Sequence, residues 1–482
     1  MKFKSTQNIL GMLLMMFSAA QLIPSFIAYI YKEELIISFL TTFLVTFLSG
    51  LILFNWPSTQ TKELRTKDGF IITVFFWTVL AIFGSFPFFL ANIEGITYVD
   101  SLFESISGLT TTGATVLAGL DSLPKSVLFY RQFLQWLGGM GIIVLAVAVL
   151  PLLGIGGMQL YKAETPGPLK GSKLTPRITE TAKALWYVYL SMTVVCALLY
   201  KYFGMNTFDA ICHAFSTVAI GGFSTHDESF AYFSSDGITY TAIVFMLLAG
   251  INFALHFTAW SKARVNHYLK DSEVRFYLSI ILIAFFITFI TLSIYQSPYE
   301  ATSFKDTLFQ VISIATTTGF MSAKYADWPL FIPFMLLFVA FVGACAGSTG
   351  GGIKAIRALV LIKQGIGEFI KLIHPNAVIS IKLSNRPLNR RVAESVWGFF
   401  SMYVLVFIVI MMFLLAQGND FTTSFSAVAA SINNLGPGLG QVAENYHSLN
   451  AYSKLGLCFA MLLGRLEIFT LLIVFSPSFW RS

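Results

Sequence analysis

Four short runs combine small, β-branched or amide side chains with a closing glycine. They are Thr110-Thr111-Thr112-Gly113, Ala219-Ile220-Gly221-Gly222, Thr316-Thr317-Thr318-Gly319 and Asn433-Asn434-Leu435-Gly436. The closing glycines recur about every 100 residues, each run lying between stretches apolar enough to cross a bilayer. Extended backbone at membrane depth exposes carbonyls that lipid cannot satisfy, so it must face water, protein or an ion. Four such loops converging on one axis would make a ring of oxygens able to replace the water shell of a cation. Glycine permits the close approach that such a ring requires. The fourfold pattern is imperfect, because Ala219/Ile220 and Asn433/Asn434 stand where threonines stand elsewhere. Hydroxyls cannot complete the ring, and backbone carbonyls must do most of the coordination.

A second informative stretch runs from Gly343 through Ala344, Cys345, Ala346, Gly347, Ser348, Thr349, Gly350 and Gly351 to Gly352. It is too rich in glycine to hold a stable helix. Lys354 follows, but the spacing does not match the GxxxxGK[ST] phosphate loop and no strand precedes it. The expectation is an irregular segment crossing the cavity beneath the ring and serving as a movable plug; the alternative is a close-packing helix face of small residues. Arg465 falls midway along the apolar stretch Cys458–Phe475, where a cation is costly and calls for a water-lined cavity or a partner. It is expected to face the pore and bond the plug's carbonyls, the alternatives being a pair with Glu467 on a neighbouring element or snorkelling. Glu104, His213 and Gln310 fall on the short helices and read as supports behind the ring. Asn252 and His256 read as facing neighbouring helices. No nucleophile–base pair or paired carboxylates suggest an enzyme, and Cys196, Cys212, Cys345 and Cys458 lack metal-site or disulfide spacing.

The elements that must position these residues are apolar helices. Of 482 residues, 56% are hydrophobic and 11% charged, against about 25% charged in ordinary soluble domains. Segments 5–30 and 35–56 read as an antiparallel pair of spans, the first too long in its apolar run for a cleaved signal peptide. Beyond the basic linker 57–68 a unit repeats: an outward span, a short helix, the glycine run and a returning span. Outward spans are predicted near 69–92, 184–204, 274–296 and 394–416, and returning spans near 127–153, 237–261, 329–361 and 452–477. Asp100, Asp209, Asp306 and Thr423 each stand 13 residues before their glycine and read as N-caps of the short helices. Such a helix rises about 20 Å, too short for a hydrocarbon core of about 30 Å, so each is expected to dip in and return.

The predicted fold is an all-α polytopic membrane protein with ten transmembrane helices and four re-entrant pore helices. Four parallel helix–pore loop–helix repeats surround the pore with pseudo-fourfold symmetry. The expected units are a two-helix domain over 1–68, pore repeats over 69–158 and 159–265, a third with the plug over 266–365, and a fourth over 366–482. Each unit crosses an even number of times, so all four share one orientation, unlike the inverted repeats of rocking transporters. Most of the 31 Lys and Arg fall in the termini and in connections at 57–68, 159–183, 262–275 and 354–391. The positive-inside rule therefore places both termini in the cytoplasm. The net charge of +7 is then topological, and without a basic face interleaved with aromatics it gives no reason to expect nucleic acid.

On Thr111-Thr112-Gly113, Ile220-Gly221-Gly222-Phe223, Thr317-Thr318-Gly319-Phe320, Asn434-Leu435-Gly436-Pro437, the loop at 343–352 and Arg465, the chain resembles TrkH/TrkG-type potassium uptake subunits of the Trk/Ktr/HKT superfamily over essentially its full length. The resemblance implies K+ transport across a bacterial inner membrane, with some Rb+ permeation. It implies K+ ligands at Thr111, Thr112, Ile220, Gly221, Thr317, Thr318, Asn434 and Leu435, and an intramembrane gate made by 343–352 and Arg465. It further implies a homodimer with one pore per protomer and a cytoplasmic TrkA-type nucleotide-binding ring (NAD, ATP or ADP) as gatekeeper. The basic loops would be its docking surfaces, and no covalent cofactor is expected. A Na+- or H+-coupled K+ symporter on the same scaffold is the competing function; it would need a buried carboxylate beside the filter, for which Glu104 is the near candidate. A receptor or scaffold would require the four runs to be accidental.

Overall fold

A computed structural model describes residues 3–55, 66–141, 178–295, 304–329, 331–377, 379–384 and 386–481. The basic segments at 57–65 and 159–177 and the second half of the span expected at 127–153 lie outside the described residues. The chain opens with α1 (Phe3–Ala20), α2 (Leu22–Ile30) and α3 (Ile36–Phe54). Gly11 and Gly50 let α1 and α3 pack backbone to backbone, since a Cβ on Gly11 would lie 2.5 Å from the Gly50 carbonyl oxygen.

Four helical units follow. The first comprises α4 (Thr66–Leu90), α5 (Tyr98–Leu109) and α6 (Lys125–Gly139). The second comprises α7 (Ile178–Tyr202), α8 (Thr207–Ala219), α9 (Asp236–Ala249) and α10 (Phe253–Ser261), with α11 (Asn266–Lys270) behind it. The third comprises α12 (Ser272–Ile294), α13 (Phe304–Ala315), α14 (Ile332–Val342) and α15 (Ala355–Ile373), followed by a two-stranded antiparallel hairpin of β1 (Lys382–Leu383) and β2 (Arg386–Pro387). The fourth comprises α16 (Arg390–Ala416), α17 (Phe421–Ile432), α18 (Ala451–Arg465), α19 (Ile468–Phe475) and α20 (Pro477–Trp480). Among the described residues that hairpin holds the only β-strands, and the boundary expected at 365/366 falls inside α15.

Six helices among the described residues are long and apolar enough to cross a membrane, and up to eight spans result if each bent pair counts as one. The returning spans at 237–261 and 452–477 carry bends not expected of them, whereas the break in 329–361 falls at the glycine stretch expected to be irregular. Over 237–261 the chain turns by 97° between α9 and α10, where Asn252 caps a new helix through the Ala254 N–H at 2.8 Å. Over 329–361 the helix ends at Val342 and restarts at Ala355. Over 452–477 the bend is 115°, with Glu467 in a left-handed backbone at φ 55°. Arg465 therefore ends a helix; it does not sit midway along one.

The short helices α5, α8, α13 and α17 occupy the predicted places, but their caps lie earlier. Thr97, Asn206 and Asp420 are the N-caps, and Asp100, Asp209 and Thr423 are the third helical residues whose N–H groups bond those caps. Asp306 likewise falls in the first turn of α13. At α5 the relation is reciprocal: the Asp100 carboxylate accepts from the Thr97 N–H at 2.9 Å, a capping box whose acid was mistaken for the cap. Two buried clusters flank the short helices. Phe103, Ile106, Val428 and Met461 belong to one, and Val218, Phe309, Ile314 and Leu435 to the other. Between helices in lipid the gain is close packing, since lipid tails are as apolar as leucine.

Candidate ion-conduction site

Each short helix ends in the same way. Thr111, Ile220, Thr317 and Asn434 adopt left-handed backbones, with φ of 55°, 54°, 64° and 52°. The next N–H in each run reaches back five residues: Thr112 to Ser107 at 2.9 Å, and Gly221 to Ser216, Thr318 to Ser313 and Leu435 to Ala430 at 2.8 Å. This is the Schellman ending, in which glycine usually takes the left-handed position. Here β-branched residues take it in three runs, at a cost of about 1–3 kcal/mol each that only over-determined surroundings sustain. The helix C-terminus, carrying negative dipole charge, abuts each run.

The glycines two positions later close a circle. A Cβ on Gly113 would lie 2.1 Å from the carbonyl oxygen of Gly221, one on Gly222 2.1 Å from that of Thr318, one on Gly319 2.0 Å from that of Leu435, and one on Gly436 2.7 Å from that of Thr112. Each glycine therefore packs on the carbonyl that precedes the next run's glycine, in chain order, until the fourth returns to the first. The four glycines also line a single cavity with the buried Arg131, His226 and Tyr446 and the exposed Asp227 and Glu444, which mark its mouth. The circle brings the four runs together; Thr110–Thr112, Ala219, Ile220, Thr316–Thr318, Asn433, Asn434 and Leu435 are buried.

Side chains hold the circle from behind. Thr110 and Thr112 share a hydroxyl contact at 2.8 Å, as Thr316 and Thr318 do at 2.7 Å. The fourth run, lacking threonine, uses amides: Asn434 Nδ2 donates to Thr112 Oγ1 at 2.9 Å and to the Met461 carbonyl at 3.1 Å. The Tyr403 hydroxyl donates to Asn433 Oδ1 at 2.7 Å. The second run, lacking hydroxyls, is held by Gln135, which donates to the Gly221 carbonyl at 2.5 Å and accepts from the Phe223 N–H at 3.2 Å. Tyr446 donates to the Gly436 carbonyl at 2.7 Å.

Glu104, His213 and Gln310 all face strands leaving the ring. Glu104 accepts from the Val116 N–H at 3.1 Å and pairs with Arg131 Nε at 2.6 Å, both side chains being buried. Arg131 donates onward to the Ser224 carbonyl at 3.1 Å and lies 4.3 Å from the centre of the Phe223 ring. His213 bonds Ser224 Oγ at 3.0 Å, and Gln310 Oε1 accepts from the Ser322 N–H at 3.3 Å. Asn252 lies against Gly347, and His256 bonds Tyr268 and the Leu248 carbonyl.

Residues 343–354, none of which lines that cavity, form a non-helical strap. Its base is closed by Ile353 N–H to Phe341 at 2.8 Å and Ala355 N–H to Ala344 at 3.0 Å. Its tip touches the third and fourth runs and the helix end that leads into the second. Gly351 N–H donates to Thr317 Oγ1 at 2.7 Å, Gly352 N–H to the Asn433 carbonyl at 3.1 Å, and Thr349 Oγ1 to the Val218 carbonyl, one residue before the second run, at 3.0 Å. A Cβ on Gly351 would lie 1.9 Å from the Asn433 oxygen, so this contact admits only glycine. Ser348 turns inward to the Cys345 carbonyl at 2.6 Å.

Arg465 joins the strap to the first unit. Its guanidinium donates to the Thr349 carbonyl at 3.3 Å, Thr111 Oγ1 at 3.4 Å, the Gly139 carbonyl at 3.1 Å and the Gly138 carbonyl. It thereby closes the C-terminus of α6, a placement that suits a cation. Glu467 bonds Arg357 at 2.8 Å.

Sequence reasoning passed over Arg131, Glu273 and Lys454, and weighed Lys354 only as a phosphate-loop lysine. Lys454 is buried against Asp100 at 2.6 Å, and Lys354 against the Gly350 carbonyl. The signal was available: each is a charge beside or within an apolar segment, the criterion that singled out Arg465. The four cysteines are buried and free. Among the described residues no group of three or more His, Cys, Asp or Glu could hold a metal ion.

The comparisons with known proteins agree in direction. The family profile described as TrkH, a cation transport protein, matches residues 36–482. The chain is 54% identical to the Trk system potassium uptake protein TrkH of Vibrio parahaemolyticus and 51% identical to that of Escherichia coli K12, covering 100% of both chains in each case. It is 42% identical to the Escherichia coli K12 protein TrkG, over 98% of this chain and 97% of the other. The crystal structure of the potassium transporter TrkH from Vibrio parahaemolyticus superposes with a TM-score of 0.89 at 51% identity, covering 100% of both chains.

Proposed function

This chain belongs to the TrkH family of cation transport proteins, and from that premise we propose that it carries K+ into a bacterial cell as a multi-pass subunit of a Trk system. The observation that supports this reading most directly is the closed circle of glycine–carbonyl contacts linking 113 to 221, 222 to 318, 319 to 435 and 436 to 112. Carbonyls of Thr111, Thr112, Ile220, Gly221, Thr317, Thr318, Asn434 and Leu435 would supply the K+ ligands. The four units are then parallel pore repeats with pseudo-fourfold symmetry and re-entrant short helices, and ten spans place both termini in the cytoplasm. The mouth bearing His226, Asp227 and Glu444 faces outward.

The strap at 343–352 and Arg465 act as the gate in this reading, because they span the inner side of the circle and bond three of its runs or their helix ends. Moving the strap requires release of the Arg465 bond to Thr349. A homodimer with a pore in each protomer and a cytoplasmic TrkA-type nucleotide-binding ring completes the proposal, with the basic surfaces at 262–275 and 354–391 as docking sites. Ion-coupled symport is the weaker reading, because Glu104, its carboxylate candidate, is committed to Arg131 and Val116.

The decisive experiment is 86Rb+ uptake into proteoliposomes, with Na+ competition and an imposed membrane potential. Uptake driven by potential alone, competed by K+ and poorly by Na+, is expected. Uptake that requires a Na+ or H+ gradient would establish the symporter instead. Arg465→Ala is expected to raise basal flux; a lower flux in a folded variant would remove the gate assignment.

A further inference from the structure

Glu273, in the first turn of α12, lies 7% exposed beneath the strap. One of its carboxylate oxygens accepts from two backbone N–H groups: that of Ala346, on the ascending limb of the strap, at 2.6 Å, and that of Ile356, just past the descending limb, at 3.2 Å. A single side chain from a different helix therefore ties both feet of the strap together.

The need for it follows from helix ends. Ile356 is the second residue of α15, whose first turn is buried, and the N-cap position, Lys354, supplies no side-chain cap and has a left-handed φ of 81°. The first N–H groups of a helix lack internal partners, and an anion at a helix N-terminus is favoured by the dipole. Glu273 supplies that missing cap from outside. The Ala346 bond is separate, since Ala346 precedes the strap's tip and belongs to no helix. Above these feet, consecutive carbonyls of the tip are held by two cations: Thr349 accepts from Arg465 at 3.3 Å and Gly350 from the Lys354 ammonium.

We propose that Glu273 is a positioning residue of the gate: its carboxylate holds both feet of the 343–354 strap in the closed arrangement, and opening the strap loosens that tie. The inference rests on the gate reading above. A strap with loose feet cannot return reliably beneath the ring, and the closed state loses population. Losing a hydrogen bond made only in the closed state suffices to shift a two-state equilibrium by about tenfold.

The test uses the full-length protein in proteoliposomes, with basal 86Rb+ flux and the Rb+/Na+ flux ratio as readouts. Glu273→Ala is expected to raise basal flux by about tenfold while leaving the ratio as in the parent, because the ring is untouched. Glu273→Gln keeps an acceptor oxygen at the same reach and is expected to recover most of the closure. Glu273→Asp keeps the charge but, one methylene shorter, cannot reach both N–H groups and is expected to leak like alanine. Parent-like flux in a monodisperse Ala variant overturns the proposal, as does parent-like closure in Asp with leakage in Gln, which would assign the effect to charge. If the Ala variant does not fold, the Gln and Asp pair still decides between these outcomes. Arg465→Ala run alongside separates the two levels: flux raised by Arg465→Ala but not by Glu273→Ala sinks this inference alone, and flux raised by neither sinks the gate reading.

Discussion

At the residue scale, position 113 carries the sharpest expectation. A side chain there meets the Gly221 carbonyl at 2.1 Å and must adopt φ 80°, so Gly113→Ser displaces a ring oxygen. Lower selectivity for Rb+ over Na+ in vesicle flux is the expected result, and an unchanged ratio would dissociate the ring from ion choice. Glu104 and Arg131 define a second expectation. Removing one member of a buried ion pair strands the other charge, at about 3–5 kcal/mol. Arg131→Met or Glu104→Gln should therefore lower the thermal unfolding temperature in detergent more than the double replacement does. Equal losses in all three would mean that the pair itself carries the stability. Glu104 was legible in the sequence as a support, whereas Arg131 was not, because its partner lies 27 residues away and only packing of α5 on α6 joins them.

At the element scale, the outer strand of the second run is tied to the first unit through a histidine. His226 lies between Asp121 and Asp209, bonding Asp209 at 3.1 Å and Asp121 more closely, with Tyr232 stacked on its ring at 3.5 Å. Burial works against charge on this imidazole, but the hydrogen bonds to Asp209 and Asp121 outweigh it and raise its pKa above the usual value. Burial of Asp121 is likewise outweighed by its bond to His226, and its pKa is lowered. A raised histidine gives stabilisation that is complete below its unfolded pKa of about 6.5 and disappears as pH rises through the folded value. The lowered aspartate gives stabilisation present above about 3.9 and lost as pH falls. The bridge is thus strongest in mildly acidic solution. Parent protein should lose unfolding temperature relative to His226→Gln as pH is raised from about 6 to about 9; parallel curves would show that the bridge carries no net charge effect. The short helices themselves could be read from a residue 13 positions before each glycine, Asp in three units and Thr423 in the fourth. Their caps were misplaced by three residues because a cap and the acid that answers it are the same residue types, and only backbone direction tells them apart.

At the scale of the whole molecule, the circle exists only when all four units are folded around it, since each glycine rests on the following unit's carbonyl. An ion held there binds the folded state alone and stabilises it by mass action, about 2.7 kcal/mol at a hundredfold excess over its dissociation constant. K+ or Rb+ should therefore raise the unfolding temperature above that in equimolar Na+, and Gly113→Ser should shrink the difference. Identical melting in both salts would argue against a K+-selecting ring.

What the sequence by itself determined was periodicity and chemistry: helices apolar enough for a bilayer, four glycine runs at matched distances from short helices, a glycine stretch unable to stay helical, and a costly arginine at depth. Those features follow from local composition and spacing, which any window of the chain displays. Tertiary structure decided what meets what. It closed the runs into a circle in chain order, replaced absent threonines with Gln135 and Asn434, bent the returning helices by 97° and 115°, and set Glu273 under both feet of the strap. These are contacts between residues far apart in the chain, and their partners are chosen by packing, which leaves no mark at either position alone.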